Sequence, residues 1–289
     1  MEHLPVQRPT GSPLRPLVAA ALAATALVAT GALAFGSAAV RFRDAAALHS
    51  FETLASSFEI VGAADRVSRL ADPLPIALLA LALMAVALLR GRPRSAGVIA
   101  AVVLGANLTT QILKPALASP RLSEILGADQ IPAASWPSGH STAAMSIALC
   151  AVLVSSARWR PAVAIAGAMF AVAVGYSLLA TGSHFPSDVL GGYLVAATWV
   201  LAVAGALRAA DRRWPAHKGD KAAVGMREAL APSAVAVGAA GVAGLAALLL
   251  RPGAVVDETM RHTTAVAGGL AVATIGLAVA TGLVLALRR

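Results

Sequence analysis

The chain is short of charge and nearly without cysteine. Asp, Glu, Lys and Arg together supply 13% of its 289 residues, about half of what a soluble globular domain carries. A freely soluble domain is thereby excluded. The single cysteine, Cys150, sits inside an apolar run, so it has no partner for an internal disulfide and is expected in the core. Runs of about ten residues alternating apolar and polar, which a transmembrane β-barrel requires, are missing. No repeat of fixed period is present either. Lysine is rare beside arginine, occurring only as Lys114, Lys218 and Lys221.

What is there is apolar: 58% hydrophobic residues and a mean hydropathy of +0.77. Eight apolar stretches, each long enough to cross a hydrocarbon core about 30 Å thick as a helix, recur at about 16–40, 73–90, 95–113, 140–157, 161–180, 188–208, 230–250 and 263–287. A backbone in lipid must satisfy its own hydrogen bonds, so the expected fold is an all-α polytopic transmembrane bundle. The first stretch exceeds the roughly 7 to 15 apolar residues of a signal peptide and is expected to remain as an anchor.

Charge placement predicts orientation, because cytoplasmic loops retain Lys and Arg. With the N-terminus inside, the inner segments hold Arg8, Arg15, Arg90, Arg92, Arg94, Arg158, Arg160, the cluster from Arg208 to Arg227, and Arg288 and Arg289. The outer loops then take ten of the acids: Asp44, Glu52, Glu59, Asp65, Asp72, Glu124, Asp129, Asp188, Asp257 and Glu258. Both termini are expected in the cytoplasm, in a multi-pass protein of the cell membrane. The net charge of +9 then reads as topology signal and as attraction to anionic membrane lipids. It does not point to nucleic acid, which would need a basic face on a soluble module.

Three parts follow: a six-span core over 1–209, a basic cytoplasmic linker over 210–228, and a two-span hairpin over 229–289. Within the core, Ala46, Leu48, Phe51, Leu54, Phe58 and Ile60 recur at helical spacing among charges, which predicts an amphipathic helix on the outer membrane surface. Trp136, Trp159 and Trp214 fall near span ends, where an interfacial belt is expected, and Trp199 does not. The Gly- and Ala-rich last two spans read as packing surfaces, with a homodimer as one use of them. The Ala, Gly and Arg bias is also what a GC-rich bacterial genome produces.

Three polar stretches share the outer side: KPALASPRL (114–122), PSGHST (137–142) and GSHFPSD (182–188). Ionisable groups at membrane depth are costly, so Lys114, Arg121, His140, His184 and Asp188 call for a joint explanation. Lys114 shares a helix face with Asn107 and Gln111 that can point into the bundle, although a lone lysine at a helix end also snorkels to the interface. Ser138 is a natural N-cap and Gly139 lets a ligand approach free backbone N–H groups, where a phosphate finds donors and a positive dipole end. The bland alternative is an ordinary capped helix start. His184 and Asp188 are four apart, with Pro186 placed to open the next helix; Asp188 can fix the imidazole tautomer and leave the other nitrogen to attack or take a proton. Alternatively, Asp188 merely complements the helix dipole. Together, two cations, a helix N-terminus, one oriented histidine and a second histidine make a metal-free phosphoryl-transfer site.

These residues resemble the three motifs of the type 2 phosphatidic acid phosphatase superfamily, K-x6-R-P, P-S-G-H and S-R-x5-H-x3-D, in a bacterial integral membrane member. KPALASPR supplies Lys114 and Arg121, PSGH is complete at 137–140, and SLLATGSHFPSD supplies Ser177, His184 and Asp188. The resemblance implies a phosphatase for a lipid phosphate or polyprenyl diphosphate, without cofactor or metal, acting at the outer face. It assigns His184 as nucleophile forming a phosphohistidine, Asp188 as its orienting group, and His140 as general acid. Lys114, Arg121, Ser138 and Gly139 would hold the phosphoryl oxygens.

Two positions depart from the motifs: Leu122 stands in place of proline and Leu178 in place of the third-motif arginine. By analogy with loss of one transition-state donor, the missing cation would cost roughly 10² to 10³ in rate. A phosphotransferase and a catalytically lapsed membrane protein are the alternatives that follow. An intramembrane serine protease using Ser138 and His184 would leave the two cations idle and lacks a G-x-S-x-G context. A zinc site from His140, His184 and Asp188 is the remaining one.

Overall fold

The computed structural model describes residues 12–119, 131–213 and 225–288. They fold into eleven α-helices: α1 (Leu14–Gly36), α2 (Ala38–Leu54), α3 (Phe58–Ser68), α4 (Pro73–Leu89), α5 (Pro93–Ala116), α6 (Gly139–Val154), α7 (Arg160–Ala180), α8 (Pro186–Arg213), α9 (Met226–Leu250), α10 (Pro252–Arg261) and α11 (Thr263–Ala286). Short 3₁₀ turns at Arg69–Ala71 and Ala157–Trp159 precede α4 and α7. The described residues contain no strand, and the architecture is an all-α polytopic bundle. Local chemistry sets the starts. Serine side chains accept a first-turn N–H at α2 (Ser37 from Val40), α3 (Ser57 from Ile60) and α6 (Ser138 from Ser141), and proline opens α4, α5 and α10, where its missing N–H costs nothing.

Among the described residues, six helical segments are long and apolar enough to cross a bilayer: Leu14–Gly36, Pro93–Ala116, Ala157–Ala180, Pro186–Arg213, Met226–Leu250 and Thr263–Ala286. The protein is therefore a multi-pass membrane protein. Two of the eight expected spans are shorter. Pro73–Leu89 has 17 residues and joins Phe58–Ala71 at a bend of 48°, the geometry of a broken span or a re-entrant loop. Gly139–Val154 has 16 residues, about 24 Å at 1.5 Å per residue. Most of its residues are buried by neighbouring helices, Ser141, Met145, Leu149 and Cys150 among them. A helix enclosed by protein need not match the lipid thickness.

The single amphipathic surface helix expected after the first span is instead two helices broken at Ala55–Ser57. α2 is not laid flat on its own: it buries Asp44, Ala45, Ala47 and Leu48 and packs on α7, α8 and α11. Leu54, Phe58 and Ile60 are exposed, so only the first half of the predicted apolar stripe faces protein.

α8 is the axis of the bundle, packed against α1, α5, α6 and α11. Small residues set those distances. A methyl group on Gly205 would meet Leu17 side-chain atoms at 2.6 Å, and one on Gly105 would meet the Trp199 ring at 2.6 Å, the close approach that glycine permits between helices in lipid. α11 joins the same core through Val272, Ala280, Leu283 and Val284, and Tyr176 Oη donates to the Gly269 carbonyl at 2.8 Å. α9 reaches that core only through Ala229, its one buried residue.

Arginines close the end of the bundle away from the polar stretches. Arg208 donates to the Ala286 and Leu287 carbonyls and Arg90 to that of Val154. Each arginine satisfies carbonyls left open at a helix C-terminus. Arg94 pairs with Asp211 at 2.7 Å between α5 and α8.

One tryptophan departs from the interfacial reading. Trp136 is 4% exposed, packed edge-on against Phe35 and over Gly31. Trp199, expected off the belt, donates from Nε1 to Thr109 Oγ1 at 2.9 Å. Trp159 is exposed, and Trp214 lies outside the described residues. Cys150 is buried, as expected.

Candidate active site

The three polar stretches belong to the end of α5, the start of α6, and the turn from α7 into α8. α6 starts with Ser138 at its N-cap, where Oγ accepts from the Ser141 N–H at 3.3 Å and the carbonyl accepts from Thr142 Oγ1 at 2.8 Å. Gly139 then opens the helix beside Lys114: a methyl group on Gly139 would stand 3.7 Å from Lys114 Nζ. An ammonium group and the donor-rich end of α6 thus face the same small volume, each attractive to an anion.

Lys114 is half-buried, while Asn107 and Gln111 are exposed. The inward face of α5 carries Val102, Ala106 and Thr110 instead. The expectation that Asn107 and Gln111 enter the bundle with Lys114 is therefore corrected. Arg121 lies outside the described residues.

The turn into α8 is explained by its sequence. α7 ends at Ala180, and Gly182 adopts φ +68°. The Ser183 N–H donates to the Leu178 carbonyl at 2.9 Å and the Gly182 N–H to the Leu179 carbonyl at 3.2 Å. This paired closure of a helix C-terminus needs a left-handed residue at that position, which glycine supplies without strain. The chain then delivers His184 and Phe185 to the start of α8 at Pro186. Glu52 of α2 presses its Oε1 onto Gly182, so a side chain there would also displace a carboxylate.

At the start of α8, His184 Nδ1 lies 3.3 Å from Asp188 Oδ2, and the Phe185 N–H donates to the same oxygen at 3.2 Å. Asp188 is fully buried, and its pair with His184 is nearly so. A buried carboxylate accepting from Nδ1–H holds the proton there and leaves the lone pair on Nε2.

The start of α6 is fastened to the start of α8 by backbone: the Ser138 N–H donates to the Asp188 carbonyl at 2.9 Å. Gly191 and Gly192 permit that contact. A methyl group on Gly192 would stand 2.7 Å from the Ser138 carbonyl and 2.9 Å from the Thr142 nitrogen, and one on Gly191 would stand 2.7 Å from Trp136 Nε1.

Three carboxylates complete the surroundings and were legible in the sequence only as outer-loop charge. Asp44 Oδ1 accepts from the Ser187 N–H at 3.2 Å, satisfying a first-turn donor of α8 from another helix. Glu52 abuts Gly182. Asp72 Oδ1 lies 2.9 Å from His140 Nε2. The pairings span 143 residues for Asp44 and 68 for Asp72, and no local spacing announces them.

The alternatives fare unequally. Ser138 is fully buried with its oxygen turned to its own helix, a poor posture for a protease nucleophile. Among the described residues, no three or more His, Cys, Asp or Glu side chains are grouped to hold a metal ion, so His140, His184 and Asp188 do not form a zinc set. Leu178 is 3% exposed and belongs to the main apolar cluster. Ser177 donates to the Val174 carbonyl at 2.7 Å and Thr181 to that of Ser177.

Residues 95–212 match the family model of the PAP2 superfamily. The superfamily match is thus to this region of the chain. No match to a curated protein or to a solved structure was found. The matched PAP2 region carries Lys114, the PSGH stretch, His184 and Asp188, and the match points to phosphatase activity on phosphate esters. Asp44, Glu52 and Asp72 lie before it.

Proposed function

We propose that the protein is a membrane phosphatase that removes phosphate from a lipid phosphate or polyprenyl diphosphate through a phosphohistidine on His184. One observation carries this reading: Lys114 and the open end of α6 face one volume, and the backbone bond from Ser138 to Asp188 ties that volume to the oriented His184. Lys114, Arg121 and the N–H groups following Ser138 and Gly139 would receive the phosphoryl oxygens. The concentration of arginines at the opposite end of the bundle favours an outward-facing site under the positive-inside rule.

His184 Nε2 attacks phosphorus and the bond from phosphorus to the lipid oxygen breaks. The departing oxygen takes a proton from His140. Water then returns a proton to His140 as its oxygen attacks phosphorus, and the bond to Nε2 breaks to release inorganic phosphate. Asp188 stabilises the imidazolium character of His184 in both steps. No step needs a metal ion.

The test is phosphate release by purified protein from phosphatidate, phosphatidylglycerol phosphate, a polyprenyl diphosphate and a lipid-linked sugar phosphate, with and without a strong chelator. Turnover of at least one, lost in His184→Ala and insensitive to chelation, is expected. Loss on chelation would overturn the metal-free route, and turnover only with an acceptor alcohol would make the protein a phosphotransferase.

A further inference from the structure

The geometry points to Asp72 as the positioning residue of His140, a second carboxylate–histidine pair supplied from outside the PAP2-matched region. Asp72 occupies the N-cap position of α4, just before Pro73. An aspartate there ordinarily turns its carboxylate onto an N–H of its own first turn. Asp72 does not: its side chain makes no capping bond, and Oδ1 reaches His140 Nε2 at 2.9 Å, a distance of a well-formed hydrogen bond, across 68 residues of sequence. The local bond is given up for the contact with His140.

The consequence is a division of the ring nitrogens. Asp72 accepts from Nε2–H, which leaves Nδ1 of His140 as the nitrogen for the leaving oxygen. In the protonated imidazole both nitrogens carry hydrogen. Nδ1 gives its proton to the oxygen as the bond to phosphorus breaks, and the neutral ring that remains keeps Nε2–H on Asp72. In the second step Nδ1 takes the proton of the attacking water. The two histidines are thus held in opposite senses, His184 by Nδ1 and His140 by Nε2. The Asp72 and His140 side chains are 44% and 38% exposed, so water screens the pair and its effect is smaller than that of a buried dyad.

This inference rests on His140 being the general acid of the proposed phosphatase, and the experiment separates the two. Asp72→Asn is compared with the parent on an alkyl phosphate, whose leaving oxygen must be protonated, and on 4-nitrophenyl phosphate, whose leaving group needs little help. Measured as release of the leaving group in the first turnover, before the phosphohistidine hydrolyses, the expected result is about a tenfold loss of rate on the alkyl ester and less than about twofold on the activated ester, with no further loss when Asp72→Asn is added to His140→Ala. Asp72→Glu, which keeps the charge, restores part of the alkyl-ester rate. Equal losses on both esters, or losses that add to those of His140→Ala, would assign Asp72 to stability alone. If Asp72→Asn folds poorly in detergent, Asp72→Ser, which retains a capping oxygen, serves for the same comparison. If His140→Ala leaves the alkyl-ester rate unchanged, the general-acid assignment falls first.

Discussion

The Ser138 N–H donates to the Asp188 carbonyl at 2.9 Å, so the residue that orients His184 with its carboxylate also anchors, by its backbone, the helix start that faces Lys114. The proposed phosphate-binding and nucleophilic parts are thereby registered by one peptide group instead of by two long side chains. Backbone contacts of this kind tolerate little displacement, and misplacing reacting groups by about 1 Å can cost 10²-fold.

Gly192 is the first test of that registration. Gly192→Ala places a methyl group 2.7 Å from the Ser138 carbonyl and 2.9 Å from the Thr142 nitrogen, both backbone atoms that cannot rotate aside. Overpacking of this order costs about 1 to 3 kcal/mol of stability, and activity is expected to fall by more than about tenfold even in well-folded protein. A Gly192→Ala enzyme with parental kcat/KM would show that α6 and α8 are not rigidly coupled.

The side-chain role of Asp188 is separable from its backbone role. Oδ2 serves both His184 Nδ1 and the Phe185 N–H, so an asparagine that places its carbonyl oxygen there keeps both bonds and loses only the charge. Asp188→Asn is therefore expected to fold normally and to lose about 10²-fold in kcat, whereas Asp188→Ala, which frees the imidazole, loses up to about 10⁴-fold. Equal activity in both variants would mean that the carboxylate charge is irrelevant to the nucleophile.

The two histidines divide by substrate. In the first turnover of an activated phosphate ester, before phosphohistidine hydrolysis calls on His140 again, His140→Ala is expected to retain much of the parental rate because the leaving group departs unaided. His184→Ala should remain inactive and form no phosphoenzyme. Acid-labile phosphate on the His184→Ala protein would refute the nucleophile.

How much of this was legible in sequence depends on the range of each interaction. Helix starts at Ser138 and Pro186 and the i to i+4 pair of His184 and Asp188 are local, and residue type with spacing gives them away. The short length of α6 was not legible, because an apolar run does not reveal whether protein or lipid will surround it. The inward direction of Asn107 and Gln111 failed for a related reason: Lys114 falls at the border between their side of α5 and the face of Val102, Ala106 and Thr110, and it is the latter face that turns to the bundle. Asp72, Asp44 and Trp136 act through contacts made only once distant helices pack. Their sequence surroundings look like loop charge and membrane belt.

Leu178 poses the last question, since it stands where the superfamily motif has arginine. Its side chain is 3% exposed within the apolar cluster, and its carbonyl already closes the end of α7 through the Ser183 N–H. An arginine here starts buried, and a buried charge without a partner is destabilising by several kcal/mol. A bound phosphoryl group would supply that partner. Leu178→Arg is therefore expected to lower the thermal midpoint of the ligand-free protein, to recover more of it on adding phosphate than the parent does, and to raise kcat/KM by up to about 10²-fold. Leu178→Met, which conserves volume, should change stability by less than about 1.5 kcal/mol and leave the rate alone. A Leu178→Arg protein that folds well, gains no extra stabilisation from phosphate and turns over no faster would place this side chain away from the phosphoryl group. In an inactive parent, turnover gained by the same substitution would instead mark the natural protein as a phosphatase that has lost one cation and with it its chemistry.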